Sequence, residues 1–181
     1  MINFFVSLIV GIFMGDNYLK ERMERQLKSE ETQEIWGGRL LLRRYHNKGA
    51  MLGVGKRKGL VMTTLSLVLT VVAMMVFALS LGRYGSHLLR TGLSLLLGGA
   101  FSNTYDRLKQ QYVTDYISFG VKWKPLRSLV FNVSDFCIIT GAMLSALGLR
   151  HQGRKLRRVA EKQKQKYVGK IEKRLKRYTV G

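Results

Sequence analysis

The chain has 181 residues, a formal charge of +20 and 46% apolar residues. That length suits one domain, and so much charge beside so much apolar surface excludes an evenly mixed soluble fold. The two properties are segregated along the chain, and basic stretches flanking long uncharged runs point to an anionic membrane surface rather than to nucleic acid.

Residues Met1 to Gly15 are apolar and lack the basic start and small-residue cleavage site of a signal peptide. A first transmembrane helix is expected, continuing through Asn17, Tyr18 and Leu19 and carrying Asp16 and Lys20 to the interface. Glu21 to Glu34 carries both signs of charge and reads as a solvated helix or loop. Ile35 and Trp36 precede a Gly-Gly turn, Leu40 to Tyr45 reads as a strand, and His46 to Ala50 as another turn, which together predict a small β element on the membrane surface.

Gly59 to Gly82 is a run of 24 residues without charge and the clearest span. A short basic loop, Arg83 to Arg90, leads to a third span starting at Thr91 and running through Gly98, Gly99 and Ala100 to Tyr105. Phe119 to Arg127 holds the one proline, Pro125, and reads as a loop or surface segment. Ser128 to Leu149 is a fourth span broken only by Asp135; it contains Cys137, whose solitary thiol is read as a small packing residue. From Arg150 to Gly181 there are 13 Lys or Arg against Glu161 and Glu172, a net of +11.

The expected fold is therefore an all-α membrane protein of four transmembrane helices, with a small extracytoplasmic β element and a basic cytoplasmic C-terminal tail. Residues 1–149 form the membrane domain and 150–181 the tail, expected to be helical. The tail's charge places it, the N-terminus and the loop at 83–90 on the cytoplasmic side. Glu21 to Lys58 is then extracytoplasmic, although it too is rich in Lys and Arg.

An Asp within a span costs at least ~2.5 kcal/mol on insertion scales and is a functional candidate by default. Asp135 lies near the start of the fourth span and Asp115 just past the end of the third. Antiparallel neighbours bring them to one membrane face, where two close carboxylates share a proton: one activates water, the other protonates a carbonyl oxygen or leaving amine. A lone Asp at a helix start serves equally well as an N-cap. Asp106, with Arg107 beside it and Asn103 one turn earlier, reads as a polar cluster that orients neighbours.

Four separated blocks resemble signal peptidase II, the lipoprotein signal peptidase family of bacterial membranes. Asp16 and Lys20 resemble its D-x-x-x-K block; Asn47, Gly49 and Ala50 its N-x-G-A block; GGAFSNTYDR its GGA-x-x-N-x-x-D-R block; VTDY and FNVSDF its two aspartate segments. The resemblance covers about residues 1–149. It implies a membrane aspartic endopeptidase, without metal or cofactor and inhibited by globomycin, that cuts prolipoprotein signal peptides just before the diacylglyceryl-cysteine. Asp115 and Asp135 would be catalytic, Asn47, Gly49, Ala50, Asn103, Asp106, Arg107 and Asn132 would bind substrate or shape the site, and Asp16 with Lys20 would support it. It also implies four spans in the bacterial cytoplasmic membrane, both termini cytoplasmic and the site near the outer face.

The chain differs from the family pattern at Met51-Leu52, Ser102 (usually Gly), Gln111 (Gly) and Ser134 (Ala). These differences and the tail motivate an alternative: a non-catalytic or specialised relative that binds lipidated segments or a membrane partner. The tail itself is expected to lie on anionic lipid.

Overall fold

The computed structural model describes residues 2–28, 31–49, 57–82 and 86–179; Ala50 and the Met51-Leu52 difference lie outside them. The elements in chain order are α1 (Ile2–Gln26), β1 (Thr32–Ile35), β2 (Leu40–Asn47), α2 (Arg57–Ser80), α3 (His87–Gln110), β3 (Val113–Phe119), α4 (Lys124–Ser128), β4 (Val130–Phe131) and α5 (Val133–Thr179). Three helical segments are long and apolar enough to cross a membrane: Ile2–Gln26, Gly59–Ser80 and Val133–Gly169.

The helix between them, α3, is the centre of the bundle. Between Leu89 and Asp106 it holds more buried residues than any other element described, so it can be small and polar where α2, which exposes Leu65, Val68, Val72, Met75 and Leu79, must be apolar. Ser86 caps its start by accepting the Leu89 N–H at 3.2 Å. Arg90 in its first turn satisfies the end of α2, donating to the carbonyls of Ser80 at 2.9 Å and Gly82 at 3.0 Å.

Small residues set how closely α5 approaches. A Cβ on Gly92 would lie 2.6 Å from the Ser145 amide, and one on Gly99 would lie 2.5 Å from the Ser134 carbonyl oxygen. Backbone therefore meets backbone along an antiparallel seam, which is how helices associate where lipid gives no hydrophobic drive. Asp16 meets Ser102, and Thr63 meets the Arg107 carbonyl, so α1 runs parallel to α3 and α2 antiparallel. An apolar core of Phe5, Phe77, Leu89, Leu93 and Leu97 fills the end of the bundle away from the strands.

The strands form one antiparallel sheet in the order β1-β2-β3-β4. It is larger than the element expected at 35–50. β1 falls in the stretch read as solvated helix or loop, and β3 and β4 flank a segment where only a loop was expected, which also contains the short α4. Asp115 consequently sits on a strand. The register of β2 on β3 shifts between Leu42↔Ile117 and Tyr45↔Asp115, so the extra β2 residue forms a bulge of the kind that re-aims side chains beside a site. Trp36, Gly37 and Gly38 turn β1 into β2 with positive φ. The last helix starts at Val133 rather than 128 and runs unbroken for 47 residues, roughly 70 Å at helical rise.

Candidate active site

Where the sheet meets the bundle, four elements bring polar side chains together. Asn132 is the hub. It is fully buried and is the N-cap of α5: its Oδ1 accepts the Asp135 N–H at 2.8 Å, while Asp135 Oδ2 accepts the Asn132 N–H at 3.1 Å. This is a reciprocal capping box. Its amide nitrogen donates to Asp115 Oδ1 at 2.6 Å and to Asn103 Oδ1 at 3.1 Å. One asparagine thus ties Asp115, Asp135 and Asn103 into a single network.

Asn103 completes the link by donating from Nδ2 to Asp135 Oδ1 at 2.9 Å. Asn47, at the end of β2, donates to Asp115 Oδ2 at 2.9 Å, and its own Oδ1 accepts the Gly49 N–H at 2.9 Å. That Asx turn fixes which end of the amide faces Asp115. It needs Gly49, whose φ is +75° and whose Cβ position would fall 2.6 Å from Met62 Cγ. Burial pushes the Asp115 carboxyl from its ordinary 3.8 up to about 7; the charge of Asp135 adds to this and the bonds from Asn47 and Asn132 oppose it.

Asp135, Asn103 and Arg107 also line a groove of about 560 Å³ between α2, α3 and α5, whose remaining walls are largely apolar, among them Leu69, Val72, Val76, Leu96 and Ile138. That volume is within the range of small-molecule and peptide clefts. Asp106 faces away from it. Its Oδ2 lies 3.0 Å from Lys20 Nζ and accepts the Thr114 N–H at 3.2 Å. Adjacent in sequence, Asp106 and Arg107 therefore face different neighbours, and Asn103 is linked to both, to Arg107 through its own carbonyl and to Asp106 through Lys20.

Asp16 and Lys20 form a buried ion pair at 2.9 Å. Lys20 also donates to Ser102 Oγ at 2.9 Å and Asn103 Oδ1 at 3.0 Å, which holds the Asn103 amide nitrogen toward Asp135. Three hydroxyls converge on Asp16: Ser102 at 2.7 Å and Ser134, both on Oδ2, and Tyr116 at 2.9 Å on Oδ1. The roles of Tyr116 and the two serines were not assigned from sequence. The available signal was their position, each one residue from Asp115, Asn103 or Asp135.

The fold and site define a class: a helical membrane protein with a linked pair of carboxylates at the sheet end of its bundle, beside an apolar groove. The chain belongs to the signal peptidase II family. The family model described as "Signal peptidase (SPase) II" matches residues 8–150, and the protein is accordingly an integral protein of bacterial membranes from a family of proteases. The lipoprotein signal peptidase of Caldicellulosiruptor bescii is 31% identical over 148 residues, covering 81% of this chain and 90% of that protein. The lipoprotein signal peptidase of Clostridium tetani is 34% identical over 98 residues, covering 54% of this chain and 61% of that protein. A solved bacterial membrane enzyme, determined by the in meso method, superposes with a TM-score of 0.70 at 20% identity over 82% of this chain and 94% of its own, a likeness of fold.

Proposed function

We propose that the protein removes signal peptides from lipid-modified prolipoproteins, as an aspartic endopeptidase that cuts just before the diacylglyceryl-cysteine and uses Asp115 and Asp135 as its acid–base pair. The observation that carries this reading is the Asn132 side chain, which binds one carboxylate and caps a helix with the other at the polar end of an apolar groove. The groove accommodates an apolar signal segment and brings its polar junction to the carboxylates.

With one proton on the pair, ionised Asp135 takes a proton from water while the water oxygen attacks the scissile carbonyl carbon. Asp115 donates its proton to the carbonyl oxygen, giving a tetrahedral diol. On collapse the C–N bond breaks, the leaving amine takes the proton from Asp135, and Asp115 regains one from a diol hydroxyl. The apparent pKa values belong to the pair. Asn47, Asn103 and Asn132 orient the two carboxylates, and Arg107 offers its cation to substrate oxygens at the groove's polar end.

In this reading the four long helices are four spans. The α3 helix, of 24 residues, extends roughly 36 Å, enough to cross the hydrocarbon core. The sheet and the site face the extracytoplasmic side, and both termini are cytoplasmic. The far part of α5 is a basic tail held by anionic lipid at about 1 kcal/mol per well-placed Lys or Arg. The test is to incubate purified protein with a diacylated prolipoprotein and look for released signal peptide, with and without globomycin. Asp115→Asn and Asp135→Asn should be inserted, folded and inactive; unchanged cleavage by either would sink the assignment.

A further inference from the structure

Asp16 stands apart from the two carboxylates, yet its bonds end one residue from Asn103, Asp115 and Asp135. Ser102 precedes Asn103, Ser134 precedes Asp135 and Tyr116 follows Asp115; all three hydroxyls donate to Asp16. Ser102 and Ser134 are wholly buried at 0% exposure, Asp16 at 1% and Tyr116 at 3%. Each of the three hydroxyls comes from a different element, α3, α5 and β3, so one carboxylate on α1 ties together the three backbones that carry Asn103, Asp135 and Asp115.

Two of the hydroxyls are also bifunctional. Ser102 accepts from Lys20 while donating to Asp16, and Tyr116 accepts the Val133 N–H at 3.3 Å, at the first turn of α5, while donating to Asp16. Lys20, held by Asp16 and Ser102, presents its remaining donor capacity to Asn103 and Asp106. Removing a hydroxyl therefore loosens a chain of fixed orientations that ends at Asp135 and Asp115. Hydrogen bonds to a buried charge are the strong ones, and positioning errors well below an ångström are felt in turnover.

We propose that Ser102, Ser134 and Tyr116 are positioning residues for the acid–base pair, acting through Asp16 without touching substrate. This rests on the peptidase reading above and adds residues to it. It predicts a loss in kcat with KM unchanged, because the groove that binds substrate is lined by other side chains.

The test uses full-length protein and a diacylated prolipoprotein, with turnover normalised to folded, globomycin-binding enzyme. Ser102→Ala/Ser134→Ala should lower kcat on the order of tenfold or more with KM within about twofold, and should move the limbs of the pH–rate profile. Tyr116→Phe, which keeps the ring, should lower kcat in the same way and stands in if the double variant does not fold. Ser94→Ala is the control, since Ser94 is equally buried but, among the described residues, its hydroxyl bonds only to the Arg90 carbonyl in its own helix; it should behave as wild type. If the serine and tyrosine variants keep wild-type kcat and pH profile per folded molecule, or match Ser94→Ala, the positioning role is overturned while the peptidase reading stands. If wild type releases no signal peptide, both fall.

Discussion

Asp115→Asn should make the protein inactive and, above neutral pH, relatively more stable. The Asp115 carboxyl is raised from 3.8 to about 7 in the folded chain. Between those values the folded state keeps a proton that the unfolded chain has lost, so wild-type stability falls as pH rises through the window and is level above it. At about 1.36 kcal/mol per pKa unit the full swing is on the order of 4 kcal/mol. Asparagine does not titrate. It also has one oxygen for two donors, so one amide N–H of Asn47 or Asn132 loses its acceptor, a pH-independent loss of about 1–3 kcal/mol. That loss sets the offset, and the raised Asp115 carboxyl fixes the sign of the slope. The assay is thermal unfolding of wild type and variant in detergent micelles from about pH 4 to about pH 8. The difference in Tm should drift in the variant's favour by roughly 8–16 °C across that range, at roughly 2–4 °C per kcal/mol for a chain of this size. A flat difference, or one that shrinks as pH rises, refutes the burial and pairing of Asp115.

Asn132→Ala removes the α5 N-cap, worth about 1 kcal/mol, and a hydrogen bond to a carboxylate, worth about 1.5–3 kcal/mol; unfolding should show the sum, and the alkaline limb of the pH–rate profile should move to higher pH because one of the bonds opposing Asp115's rise is gone. Gly49→Ala forces an L side chain to φ +75° against Met62, at a strain of about 1–2 kcal/mol. It should also disturb the Asn47 amide, so that cleavage falls alongside Tm, and full activity would show that the turn is dispensable. Deleting residues 150–181 should leave cleavage in micelles within about twofold while weakening binding to anionic vesicles in a salt-sensitive way, measured by flotation with and without anionic lipid.

The apolar helices were legible because lipid exposure imposes uniform composition: Gly59 to Gly82 could hardly be anything else. The helix carrying the Gly98 block was legible only as a short uncharged run from Thr91 to Tyr105, since a helix wrapped by α1, α2 and α5 need not be oily. The strands β3 and β4 were not seen. Val113 to Phe119 is buried on both sides for most of its length, so it lacks the one-sided alternation that marks a surface strand, and it pairs with a hairpin some 70 residues earlier. Gln111, where the family pattern has glycine, is explained by the fold. It is the α3 C-cap at φ +64°, a left-handed position that glycine takes freely, and its amide donates back to the Arg107 carbonyl at 3.1 Å.

The carboxylates themselves were the easiest part to find, because charge beside oil is conspicuous in one dimension. What holds them is not conspicuous. Ser102 lies 86 residues from Asp16 and Ser134 lies 118, and in sequence each serine is only a small residue in a helix tolerant of small residues. Their meaning depends on α1 delivering one carboxylate to the point where α3, α5 and β3 converge. Both positions are among those where the chain differs from the family pattern. In place of residues that could only pack, it has hydroxyls that can donate, so these substitutions strengthen the tether of the site to α1. They do not argue for a chain that has lost its chemistry, because every carboxylate and asparagine of the network is present and hydrogen-bonded.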